Sequence, residues 1–250
     1  RFGSRAPFEE RGLEPATCAC CAPSRSRSPM ALKLTYFPLW AKGPSVVLAL
    51  EHSGLEWEGA FPDWPALKAK TPWLELPVLE NVPDAGQIGH ELGMLSYIAR
   101  RVPEMGGASD ADFLISQQLM CEGEDIYKSL YNIRNGLIPK EQQQAFWATA
   151  DPSAHNRNFG AGVYLQLLEG FYGKCGGSGK FTSSGTTVGE CKIFAMVHAM
   201  VLIKPDILAP YPGLKAFYDT FAALEKTQGV LKTGGRMPGP FKQYFVEAQV

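Results

Sequence analysis

The chain has 250 residues, a formal net charge of -1, 45% hydrophobic residues and 20% charged ones, an ordinary globular composition. A balance so close to neutral supplies no broad field for nucleic acid or acidic lipid, and no apolar run reaches the roughly eighteen residues that crossing a bilayer requires. That length allows one large domain or two smaller ones, each with its own core.

Residues Arg1 to Pro29 are rich in Arg, Ser, Pro, Ala and Cys and show neither helical nor strand periodicity. Three readings stay open for them: a translated upstream region with Met30 as the start, the tail of a truncated transit peptide, or a disordered extension. The Arg and Ser content favours targeting, whereas Glu9, Glu10 and Glu14 oppose it. Cys18, Cys20 and Cys21 fall here, and Cys121, Cys175 and Cys191 are scattered later. Without a second cluster or a nearby His they do not read as a metal site. Unpaired thiols suit a reducing compartment, so a soluble, cytoplasmic protein is expected.

Ordered structure is expected from Leu32. Leu32 to Phe37 alternates as a strand, ended by Pro38. A helix begins near Pro44 and carries the apolar run Val46 to Leu50. Trp57 to Phe61 reads as a second strand. Asp63 to Lys68 reads as a short helix or turn with Asp63 as N-cap. Leu76 to Glu80 and Gly86 to Gly89 read as a hairpin, and Leu92 to Arg101 as a helix with Leu92, Leu95, Ile98 and Ala99 on one face. This βαβαββα order makes a compact α/β unit over 31–102. After a connection at Val102 to Gly107, residues 108–250 need no strand. Helices are expected over Asp110 to Tyr131, Arg157 to Tyr172, Thr187 to Ile203 and Gly213 to Lys232, with loops at Asn135 to Pro139 and Gly173 to Gly185. The fold class is therefore α/β followed by an all-α bundle.

Several segments, in order, resemble the tyrosine-type cytosolic glutathione S-transferases, nearest the sigma, mu and alpha classes. They are Leu34-Thr35-Tyr36-Phe37, Trp64 with Lys68, Thr71 to Glu80, Tyr97 to Arg100, Thr187-Val188-Gly189-Glu190 and Leu214 to Tyr218. The resemblance runs from about Leu32 to Lys232. It implies a thioredoxin-like first domain that binds glutathione and a helical second domain that lines a pocket for an electrophile. It also implies glutathione as co-substrate, no metal, a role in detoxification and a homodimer.

The resemblance carries roles onto particular residues. Tyr36 occupies the tyrosine position, where a hydroxyl aimed at the glutathione sulfur favours the thiolate. Lys42, six residues on, sits where a cation near that phenol is common. Leu76-Pro77 matches a site where a cis peptide bond turns backbone groups toward the ligand. Trp64 and Lys68, one turn apart, would hold the glycyl carboxylate. His90-Glu91 departs from the pattern. The family usually has serine at the second position, where a helix start grips the γ-glutamyl carboxylate. Glu91 puts like charge there, and either turns away to bind the ligand's ammonium or caps its own helix, with His90 as a compensating donor or charge. Leu39, Tyr127 and Tyr131 fall where the electrophile pocket is lined, and core packing suits the two tyrosines equally. Thr187 and Glu190 have capping-box spacing and a structural role. His198 reads as a core histidine, while His52 and His155 fall on surface or loop positions.

The expected reaction is transfer of the glutathione sulfur to an electrophilic carbon. Glutathione-dependent peroxidase or isomerase chemistry would use the same site. A non-catalytic ligand-binding or structural member of the fold is the alternative from a different class.

Overall fold

The structure is a computed structural model that describes residues 30–147 and 160–245. The N-terminal extension with its three cysteines, and His155, lie outside those residues.

A four-stranded mixed sheet in the order β3-β1-β4-β5 is built from β1 (Leu32–Thr35), β3 (Trp57–Ala60), β4 (Val78–Val82) and β5 (Gly86–Gly89). β1 runs parallel to β3 and antiparallel to β4, and β4 is antiparallel to β5. Parallel neighbours need a crossover, and α1 (Gly43–Ser53) supplies it. Pro44 stands in its first turn and Gly54, left-handed at φ 72°, ends it. Its residues from Gly43 to Leu50 are all buried, as expected of a helix whose apolar run Val46 to Leu50 covers most of its sides. α3 (Glu91–Arg101) packs beside it through Met94, Leu95 and Ile98. Between them lie α2 (Trp64–Leu67) and a single 3-10 turn over Lys68–Lys70.

The helical half holds α4 (Pro103–Gly106), α5 (Asp110–Arg134), α6 (Lys140–Trp147), α7 (Ala161–Cys175), α8 (Val188–Ile203), α9 (Pro212–Ala223) and α10 (Glu225–Thr233). α8 is its axis. It packs against α5, α9, α1 and α3, and its residues from Val188 to Val197 are all buried. The Thr187/Glu190 capping box starts it, and Glu190 does more than cap. Its carboxylate also accepts from the Phe181 and Thr182 N–H groups and the Thr182 hydroxyl, which anchors the preceding loop.

The structure departs from several expectations. The connection after Arg101 contains the short α4, with Pro103 in its first turn. The helix expected over Gly213 to Lys232 is two helices, because Leu224 leaves the helical region at ψ 134°. That break turns α10 onto α1, where Thr227 Oγ1 meets His52 Nε2 at 3.0 Å. His52 is thus a half-buried helix residue rather than a surface one, and burial lowers its pKa to about 4. Asp63 stands at the N-cap of α2 but makes no side-chain cap bond. The helical half also contributes a strand, β6 (Lys242–Gln243), which pairs in parallel with β2 (Leu39–Trp40). The α6 helix, polar along most of its length, gave no periodic signal.

Candidate functional site

The sheet register brings distant residues to one end. Thr35 pairs with Val78, and Val78 with Gly89. The next residues out, Tyr36, Pro77 and His90, therefore form a row across β1, β4 and β5. On the other flank Thr35 pairs with Ala60, so the chain leaving β3 carries Trp64 to the same end. The Leu76–Pro77 peptide bond is cis.

Tyr36 is 5% exposed. Its ring lies so close to the start of α1 that a Cβ on Gly43 would stand 2.1 Å from Cδ1. Glycine is what allows this approach. The backbone N–H of Lys42 donates to the phenol oxygen at 3.0 Å. Burial raises the Tyr36 pKa, reinforced by Glu91 and Tyr244, and outweighs the N–H groups of Lys42 and Gly43, which lower it. The phenol is therefore neutral at ordinary pH, with its oxygen accepting from the backbone at the start of α1 and its O–H left to donate.

Lys42 touches the phenol through its backbone, not through its charge as expected. Its ammonium bonds Glu124 on α5 at 3.1 Å and lies 4.6 Å from the Tyr127 ring centre. Trp64 is half-buried and packs edge-on against Phe37 with ring centres 5.6 Å apart. Lys68 is exposed in the turn that follows. Leu76 is half-buried against the core.

His90 adopts φ 59° and ψ 128° immediately before α3, a conformation rare for a residue with a side chain. Its exposed ring stacks obliquely on Trp73 at 5.3 Å. Glu91 is 1% exposed and points into the fold, where the Lys192 ammonium on α8 bonds its carboxylate at 2.7 Å and the Ser45 hydroxyl lies against its other oxygen. Lys192 also reaches Glu124 at 3.3 Å. Burial works against the Glu124 carboxylate, but the ammoniums of Lys192 and Lys42 prevail and hold its pKa below the usual value.

Tyr127 and Tyr131 stack on α5 with centres 6.0 Å apart. Tyr127 is half-buried, Tyr131 is 39% exposed, and Leu39 is half-buried in β2. Lys242 N–H donates to the Pro38 carbonyl, so the tail crosses beside Leu39. Phe245 then packs edge-on against Tyr127 at 5.8 Å, and Arg134 holds Tyr244 by a bond to its carbonyl and a ring contact at 3.9 Å.

The sequence reading missed Ser45, Glu124, Lys192, Tyr244 and Phe245. Lys192 had a signal, as the lone Lys, Arg, Asp or Glu after Glu190 in the apolar run of α8. Gly123, three positions before Ile126 on α5, had none, although a Cβ there would stand 2.5 Å from Lys192 Cγ. His198 is satisfied within the core as expected. Its Nδ1 meets the Tyr218 hydroxyl at 2.8 Å between the rings of Trp40 and Phe194, and burial lowers its pKa to about 4.

Over 194 residues the chain is 26% identical to Glutathione S-transferase 1 of Ascaris suum, covering 75% of this chain and 88% of that protein. The solved glutathione S-transferase of Ascaris lumbricoides superposes with a TM-score of 0.62 at 23% identity, over 80% of this chain and 95% of that one. The chain has the glutathione S-transferase fold. A thioredoxin-like unit followed by helices is its architecture. Na-GST-3 of Necator americanus, described as monomeric, matches over 80% of this chain and 95% of its own at 16% identity and a TM-score of 0.62. No family model matches the chain. Among the described residues no group of His, Cys, Asp or Glu is placed to hold a metal, and no helix is long and apolar enough to cross a membrane.

Proposed function

We propose that the chain is a glutathione transferase that joins the glutathione sulfur to electrophilic small molecules, with Tyr36 as the group that stabilises the thiolate. The observation that carries this reading is the row of Tyr36, Leu76–Pro77 and His90–Glu91 at one end of the sheet, with the phenol oxygen accepting from Lys42 N–H and its O–H left to donate. Glutathione would lie along that row. Its cysteinyl part would face Leu76, its glycyl carboxylate Trp64 and Lys68, and its γ-glutamyl carboxylate the first turn of α3 beside His90 and Glu91. Leu39, Tyr127 and Tyr131 would face the electrophile, with Phe245 beside them.

A thiol ionises near pH 8.5 unaided, and a hydrogen bond to the charged form contributes about 1.5–3 kcal/mol, or roughly one to two pH units. The bound thiol releases its proton to solvent and the phenol donates to the sulfur. The thiolate then attacks carbon, forming the C–S bond as the leaving group departs with the electron pair of the broken bond. Binding both partners in one cleft supplies the rest of the acceleration. The related proteins' names supply the co-substrate class.

The test is retention on immobilised glutathione together with conjugation of a chlorinated nitroaromatic, for wild type and Tyr36→Phe. Expected are equal retention, a fall of about 10–100-fold in kcat/KM, and a rate profile moved upward by about one to two pH units. Equal activity of the two proteins would remove Tyr36 from the chemistry. A second reading, ligand binding without turnover, is favoured by the 5% exposure of Tyr36, which leaves little of the ring open to a co-substrate. Retention of wild type with no conjugation would select it.

A further inference from the structure

A carboxylate at residue 91 should repel the carboxylate that the first turn of α3 is proposed to receive. The interior answers that repulsion. Lys192 is 0% exposed and projects from the buried, apolar α8, with its ammonium 2.7 Å from Glu91 and 3.3 Å from Glu124. An ammonium in such surroundings is costly unless paired and hydrogen-bonded. Here the surroundings are shaped to it. Gly123 leaves the space that the lysine stem fills, Ser45 closes the far side of the Glu91 carboxylate, and the Tyr127 ring centre lies 5.5 Å from the ammonium. Four elements contribute: the start of α1, the start of α3, α5 and α8. The charged and titratable groups facing Glu91 and the Tyr36 phenol are Lys192, Lys42, Glu124, Tyr127 and Tyr244. Two ammoniums thus offset two carboxylates, and Lys192 is the cation that touches both.

We propose that Lys192 is a positioning residue for glutathione: it draws Glu91 inward and neutralises it from beneath, so that the first turn of α3 can receive the γ-glutamyl carboxylate without a serine. This rests on the proposed function. The chain reaches a neutral anion-accepting helix start by adding a buried cation rather than by omitting the acid. Lys192 would act on affinity for glutathione and leave the bond-making step, which depends on Tyr36, largely intact.

The experiment is calorimetric titration with glutathione of the full chain as wild type, Lys192→Met and the double variant Glu91→Ser/Lys192→Met, with steady-state kinetics alongside. Expected for Lys192→Met is at least a tenfold loss of affinity, with KM for glutathione rising far more than kcat falls. The double variant should bind within about threefold of wild type, since both charges are gone. A purely structural lysine would show no such rescue. Lys192→Met binding as wild type does, or a folded double variant no better than the single one, overturns the proposal. If Lys192→Met alone fails to fold, the double variant decides by the same criterion. Wild type that takes up no glutathione overturns the functional reading itself.

Discussion

Gly123→Ala sets helix propensity against packing at one carbon atom. In an open helix interior, alanine in place of glycine stabilises by about 0.5–1 kcal/mol. At 123 the added Cβ would stand 2.5 Å from Lys192 Cγ and 3.1 Å from Cε, far inside contact distance for carbon. The lysine stem must move by about 1 Å, and its ammonium with it, loosening the 2.7 Å bond to Glu91. Overpacking a filled interior costs about 1–3 kcal/mol, and weakening a buried ion pair adds to that. The net expectation is a loss of roughly 2–3 kcal/mol, or about 4–12 °C in Tm for a chain of this size. Gly170→Ala on α7 is the matched control, because a Cβ there meets nothing within 4 Å, and it should stabilise slightly. Urea unfolding of the three proteins, followed by far-UV circular dichroism, measures both. Stabilisation of Gly123→Ala by as much as its control would refute the claim that the lysine stem fills this space.

Two further outcomes follow from buried groups. His52 and His198, each held to about pKa 4 by burial, bind fewer protons folded than unfolded between about pH 4 and 6.5. Stability should therefore fall as pH drops through that window, by roughly 1 kcal/mol per histidine at pH 5 after allowing for partial exposure. The His52→Asn/His198→Asn double variant should show a flatter urea midpoint between pH 7 and 5; an unchanged slope would exclude these two rings. Glu190→Gln should lower stability by about 2–4 kcal/mol, because an amide cannot accept all the donors from Phe181, Thr182 and Thr187. A urea midpoint equal to that of wild type would contradict the anchoring role given to that carboxylate.

The elements that could be read from the sequence are those whose signal is local. Tyr36 follows an alternating strand, Pro44 opens a helix, and Thr187 and Glu190 have the spacing of a reciprocal cap. Leu224 carries neither proline nor glycine, so the break after α9 could not be foreseen; it reflects where α10 must dock. Residue roles divide along the same line. Lys42 was legible as a cation near the phenol, but the direction of its side chain depends on Glu124, 82 residues away. Glu91 was legible as an intruding charge, whereas its partner lies 101 residues on in another helix. A buried polar group must find a counterpart somewhere, yet sequence order does not say where.

The two-residue ladder between β2 and β6 joins positions about two hundred residues apart. During synthesis, Leu39 and Trp40 therefore wait until nearly the whole helical half has emerged before Lys242 and Gln243 can dock beside them. Phe245 reaches Tyr127 only then. A nascent chain that has already formed its four-stranded sheet would still lack the cover that β6 and Phe245 lay beside Leu39 and Tyr127.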